Sequence, residues 1–219
     1  MSAQGKRMAF INAQNAIKRS GQSTAKAVLS QSYLRLEVPL TTTSTQFTFD
    51  VLVNENLNQN SVTQQKLNLQ DAFYVSEVGM YVGIATTSAT TETNVQLYTY
   101  PNPNVFTTTN ASTSLYSLYN GFLQLTINQR TIVPSWDMQR HLFIPQTQKT
   151  GAATPPLDQM EAIHQGMYPA EPAWVLSGAK KNVLQAVLPG NLTAVQATVQ
   201  TRLILILRGV LAQNVTSVR

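Results

Sequence analysis

The chain has 219 residues and a net charge of +5, enough for one well-buried core and short of the length at which two domains become the default. It contains no cysteine, which excludes a disulfide framework, thiol catalysis and any Cys-ligated metal or cluster. Only 11% of its residues are charged, whereas Ser, Thr, Asn and Gln together make up roughly a third, so the sides of the body are expected to face other protein.

The positive charge is concentrated at one end. Lys6, Arg7, Lys18, Arg19, Lys26 and Arg35 all precede the first acid, Glu37, and the remainder holds nine basic against ten acidic residues. Residues 1–32 therefore read as a basic arm and residues 33–219 as a single, nearly neutral domain. The arm is rich in helix-compatible Ala, Gln and Lys and is divided by Gly21. Phe10, Ala13 and Ile17 share a helical face while Met8 and Ile11 point elsewhere, which predicts a helix or coil that orders on contact with something. On that reading Met8, Phe10, Ile11, Ile17, Val28 and Leu29 are the apolar anchors. The arm's Lys and Arg side chains meet acidic groups of neighbouring subunits, phosphates of nucleic acid, or an anionic membrane. The start of the chain lacks the continuous apolar run of a secretory leader, and the longest such run, LILIL at 203–207, is far too short to span a bilayer.

From residue 33 the hydrophobic period is two. YLRLEV puts Leu34, Leu36 and Val38 on one face, and QFTFDVLV does the same with Phe47, Phe49, Val51 and Val53, so both read as half-buried strands. A polar connection leads to AFYVSEVGMYVGIA, which is one bent strand or two shorter ones, with Gly79 and Gly83 marking a bulge or bend. VQLYTY, GFLQLTI, a stretch around MQRHLFI, NVLQAVL and VQTRLILILRGVLA complete eight or nine strands. Two short helices are expected in the loops: NASTSLYSLYNG, capped by Ser112 or Ser114 and stopped at Gly121, and PPLDQMEAIHQG, ending at Gly166. Long, uneven connections with few tight turn dipeptides favour an all-β, jelly-roll-like two-sheet sandwich, with an immunoglobulin-like sandwich as the runner-up.

Titratable chemistry is sparse. His141 in SWDMQRHLFIP shares a strand face with Ser135, Asp137 and Gln139 if that stretch is extended, but a triad is assembled from separate loops around an oxyanion site and no nucleophile elbow occurs. A solvent-facing or interface histidine is the expectation. Glu161 and His164 have the helical spacing of a di-iron ligand pair, yet such centres use it twice on long helices with two further Glu residues. The glycines form no phosphate loop. No catalytic, cofactor-binding or metal-binding residue is nominated, and no cofactor is expected.

The acid-free arm, the neutral Thr/Asn/Gln-rich β body, and the strands YLRLEV, QFTFDVLV, FYVSEVGMYVGI and TRLILILRGVL together resemble a viral capsid protein of the jelly-roll type, as found in tailless icosahedral bacteriophages. The resemblance implies a non-enzymatic virion structural protein, a major or minor capsid shell subunit made in the host cytoplasm, with homo-oligomers and other capsid proteins as partners. It also implies that the arm lies on the interior side, near nucleic acid or an internal membrane. The alternative is a carbohydrate- or surface-binding β-sandwich using Tyr98, Tyr100, Tyr116, Tyr119, Trp136 and Trp174 as stacking platforms.

Overall fold

A computed structural model describes residues 3–53, 61–85, 95–98, 102–107, 110–142, 166–196 and 200–217, with side chains from Met8 to Val215. The chain begins with helix α1 (Ala3–Arg19), whose last turn carries Lys18 and Arg19 where cations complement the helix dipole. Ser20 and Gly21 end it, with Gly21 at φ 88°, a conformation that a side chain would strain. Strands β1 (Gln22–Ser23), β2 (Val28–Pro39), β3 (Gln46–Phe49), β4 (Ala72–Ala85) and β5 (Val95–Tyr98) follow, then helix α2 (Ala111–Tyr119). The order continues with β6 (Phe122–Ile127), β7 (Arg130–Asp137), β8 (Met167–Ser177), β9 (Asn182–Val187), β10 (Thr201–Gln213) and β11 (Thr216–Ser217).

The main strands pair from the outside of the chain inward: β2 with β10, β3 with β9, β4 with β8, and β6 with β7, all antiparallel. Such a nested hairpin must fold over to bury its apolar face. It does so by joining β10 to β4 and β9 to β6, which yields two sheets, β2-β10-β4-β8 and β3-β9-β6-β7. Counting these eight strands in chain order, the sheets read first, eighth, third, sixth and second, seventh, fourth, fifth. That is the double Greek key of a jelly roll, and it differs from the order of an immunoglobulin sandwich. Strand β5 extends the first sheet along the part of β4 that β8 leaves uncovered, and β1 and β11 form a small separate pair.

Inward-facing residues of both sheets make one core. Leu34, Leu36 and Val38 of β2 and Leu203, Leu205 and Leu207 of β10 meet Phe47 and Phe49 of β3, Leu123 and Leu125 of β6, and Leu184 of β9. Each fully buried side chain of this kind contributes roughly 1.5–3 kcal/mol relative to exposure. In β4 the alternation shifts at Ser76, where the register with both β10 and β8 slips, so that Phe73 and Val75 before it and Val78, Met80 and Val82 after it all reach the same core. AFYVSEVGMYVGIA is thus one strand, bulged at Ser76 and not at either glycine. Gly79 and Gly83 instead allow close approach, of Met167 and Tyr81 in the first case and of the Gln96 carbonyl and Ile204 in the second.

Several expectations need correction. The sheet starts at Val28, so residues 28–32 belong to it; the ladder with the 13-residue β10 continues past the point where the sequence stops alternating. QFTFDVLV is a strand only to Phe49, and Val53 is exposed. The stretch around MQRHLFI is a 3-10 turn over Gln139–His141. Besides the two-residue strands β1 and β11, two long strands went unanticipated, β7 and β8, because each contains proline: Pro134 in the former, Pro169 and Pro172 in the latter. Both lie at sheet edges, the position where a missing N–H costs no ladder bond. Helix α2 buries Leu115, Leu118 and Tyr119 as its spacing predicts, but it begins after Asn110, which sits in the left-handed region and makes no side-chain cap; Ser112 and Ser114 lie inside the helix. The second predicted helix, up to Gly166, lies outside the described residues.

Candidate functional site

Helix α1 lies on the outer face of the first sheet. Ala13 and Ile17, one turn apart, are fully buried, with Ile17 packed among Ala72, Ala212 and Val215 and bordered by Ala27, Leu29, Tyr74 and Val175. The junction after the helix is tied down by polar bonds: the Lys180 ammonium donates to the Ser20 carbonyl at 2.5 Å and the Gln22 amide donates to Ser177 Oγ at 2.6 Å. The arm is therefore docked on its own domain. Of the six predicted apolar anchors, Ile17 is buried, Phe10 and Leu29 are half-buried, and Met8, Ile11 and Val28 are exposed.

The outward side of α1 carries Met8, Ile11, Asn12, Asn15, Lys18 and Arg19, all exposed. Lys26 is exposed beyond the helix, whereas the side chains of Lys6 and Arg7 lie outside the described residues. This face offers two apolar side chains beside exposed cations and no acid. Its chemistry suits an acidic or phosphate-bearing surface with some apolar character.

Arg35 does not join these cations. It occupies the outer face of β2, where its Nε pairs with Glu37 Oε1 at 2.8 Å and its Nη2 donates to the Val95 carbonyl at 3.0 Å. The same Glu37 oxygen accepts from Thr63 Oγ1 at 2.6 Å, and the second oxygen faces Arg202 Nη1 at 3.8 Å. Glu37 and Arg202 are both buried, and Arg202 Nη2 donates to Gln200 Oε1 at 2.9 Å. Burial lowers the Arg202 pKa, and the Glu37 charge partly restores it. This internal ion cluster escaped the sequence reading because β2's alternation assigns Arg35 and Glu37 to solvent. The available signal was Arg202 itself, which precedes the apolar run LILIL of a strand buried on both faces.

His141 is buried, 2% exposed. Its Nε2 accepts the Trp136 indole N–H at 3.0 Å and its Nδ1 lies 2.8 Å from the Gly166 carbonyl, which assigns the neutral ring with the proton on Nδ1. Burial pushes its pKa down to about 4, against the opposing pull of the Gly166 hydrogen bond, with smaller effects from Arg140 and Asp137. Trp174 and Tyr168 meet Trp136 and His141 edge to face, and the Arg140 guanidinium stacks over Trp136 at 4.4 Å. Ser135 and Asp137 do not share its face: Ser135 and Asp137 are exposed, and the Asp137 carboxylate accepts from the Gln139 backbone N–H at 2.9 Å. The 3-10 turn carries His141 inward while they stay outside, so the expectation of a solvent-facing histidine is corrected too. Glu161 and His164 lie outside the described residues.

The stacking platforms of the carbohydrate alternative are largely interior. Trp136, Trp174 and Tyr119 are buried and Tyr98 packs against the core, while Tyr116 is exposed and Tyr100 lies outside the described residues. Among the described residues no three His, Cys, Asp or Glu side chains gather as a metal site. In comparisons with protein-family models and with curated proteins, nothing matches this chain.

Proposed function

We propose that the protein is a virion structural protein, a subunit of a capsid shell in which α1 and the sides of the sandwich meet neighbouring subunits. A jelly roll serves shells and sugar-binding domains alike, so the fold alone does not choose between them. The observation that carries the reading is the charge partition on this fold: an acid-free segment forms a helix on the outside of one sheet and leaves Lys18, Arg19 and Lys26 in solvent, while the body is nearly neutral. A neutral polar body has little charge repulsion to keep copies apart, and the helix adds an attraction for acidic neighbours, nucleic acid phosphates or an anionic membrane. The interior position of Trp136, Trp174 and Tyr119 weighs against the sugar-binding role.

The test is light scattering and electron microscopy of the purified full chain across protein and salt concentrations. Large, closed, salt-sensitive assemblies are expected. A chain that stays monomeric under every condition overturns the proposal.

A further inference from the structure

Among the described residues, the β2 edge of the first sheet is unpaired from Leu29 to Tyr33. The Arg35 backbone N–H and carbonyl point away from β10, because both bond to Gln65 at 2.9 Å. Strand β2 runs against β10 with no slip from Val28 to Pro39, so the backbone groups of Leu29, Gln31 and Tyr33 point the same way. No described residue pairs with them. Gln31 and Tyr33 are exposed, Tyr33 to 50%, and so is Val28, to 59%.

The other edges are blunted. Strand β7 carries Pro134 and Arg130, β8 carries Pro169 and Pro172, and β3 and β5 have four residues each. Residues 27–34, AVLSQSYL, contain neither charge nor proline. With the remaining edges protected and no described residue paired with this one, β2 is a strand ready for addition.

We propose that this edge pairs antiparallel with the same edge of a second copy, about a two-fold axis through Gln31. The identity of the partner follows from the register. Outward-pointing residues must oppose one another, and Gln65 closes the edge at Arg35, so the overlap is greatest with Gln31 opposite Gln31 and Leu29 opposite Tyr33 on either side. Each of these pairs exchanges two backbone hydrogen bonds, about six in all. Leu29 and Tyr33 lie on the outer face and form an aliphatic–aromatic pair twice over, and no like charges meet. The patch is thus self-complementary, as an isologous contact requires, and joins two five-stranded sheets into one continuous sheet across the axis. The inference concerns a dimer and stands apart from the shell reading.

Sedimentation equilibrium of the full chain, with hydrogen exchange of the Leu29, Gln31 and Tyr33 amides, tests it. A dimer is expected, with those amides protected in the dimer and fast in dilute monomer. Gln31→Lys, which sets two cations face to face on the axis, is expected to weaken it about tenfold or more, and Gln31→Pro removes an outward donor without touching the β10 ladder. Both variants should keep the wild-type thermal transition measured at monomer concentrations. A chain that is monomeric throughout, a dimer indifferent to Gln31→Lys, or amides already protected in the monomer overturns the inference. A β2-dependent dimer that builds nothing larger upholds it and overturns the shell reading, whereas large assemblies indifferent to Gln31→Lys do the reverse.

Discussion

The Trp136 indole donates its N–H to Nε2 of His141 at 3.0 Å, inside the protein and with the far side of the imidazole turned to the Gly166 carbonyl. A protonated His141 has no lone pair for Trp136, so the hydrogen bond and the neutral ring stand or fall together. The folded pKa, about 4, lies below the ordinary 6.5, so the unfolded chain binds the proton more readily. Above pH 6.5 both states are neutral and the contribution is full; it declines as pH falls through the interval to about 4 and is then exhausted. The loss is on the order of 3 kcal/mol. Urea unfolding across this interval should show it, and His141→Gln should flatten the slope; an equal slope in the variant refutes the assignment.

Replacing Glu37 by Gln leaves the buried Arg202 without its counter-charge and is expected to cost about 3–5 kcal/mol. The double replacement Glu37→Leu with Arg202→Leu removes both charges and should be milder than Glu37→Gln alone. Chemical denaturation of the two variants beside the wild type measures this. A double variant worse than the single one means the cluster itself holds the sheet together.

Ile17→Ala removes the side chain that seats α1, with an expected loss of about 2–4 kcal/mol for that contact. Limited proteolysis should then cleave within residues 8–21 before the sandwich unfolds. Met8→Ser, on the outward face, should change neither stability nor cleavage.

Gly209 faces the β4 bulge. A Cβ there meets the Tyr74 carbonyl oxygen well inside contact distance and the Ser76 nitrogen at 3.2 Å, both backbone atoms that cannot turn aside. Gly209→Ala should therefore destabilise by about 3 kcal/mol or more, by forcing β10 away from β4. Gly190→Ala, where a Cβ meets nothing within 4 Å, is the control and should leave the melting temperature unchanged.

Reversing the exposed helix-end charges with Lys18→Glu and Arg19→Glu should leave the fold intact and abolish the salt sensitivity of any assembly or nucleic acid binding. Light scattering at low and high salt reads the outcome. Unchanged salt dependence removes the helix from the contact.

The strands with clean alternation were legible because one face is core and the other is not: Leu34, Leu36 and Val38 announce β2, and Leu115, Leu118 and Tyr119 announce α2 at the helical period. Strands β7 and β8 were hidden by their prolines, whose tolerance depends on lying at an edge, a fact about neighbours that no local window contains. The grouping of Ser135, Asp137 and His141 failed for a related reason, since it assumed an extended backbone where packing against Trp136 closes a 3-10 turn.

Composition and periodicity alone determined that this chain makes a β-sandwich with a neutral body and a basic leading segment, because charge is additive along the chain and alternation is set by the pleat of one strand. Which faces are buried was decided only in three dimensions. Arg35 and Glu37 read as the polar face of a strand, yet with Arg202 they form an internal cluster once the sheet's outer face is covered; Met8 and Ile17, nine residues apart on one helix, ended on opposite sides of the water boundary because only one of them met Ala72 and Ala212. Burial is a property of contacts between distant segments, and a segment does not carry its neighbours in its own sequence.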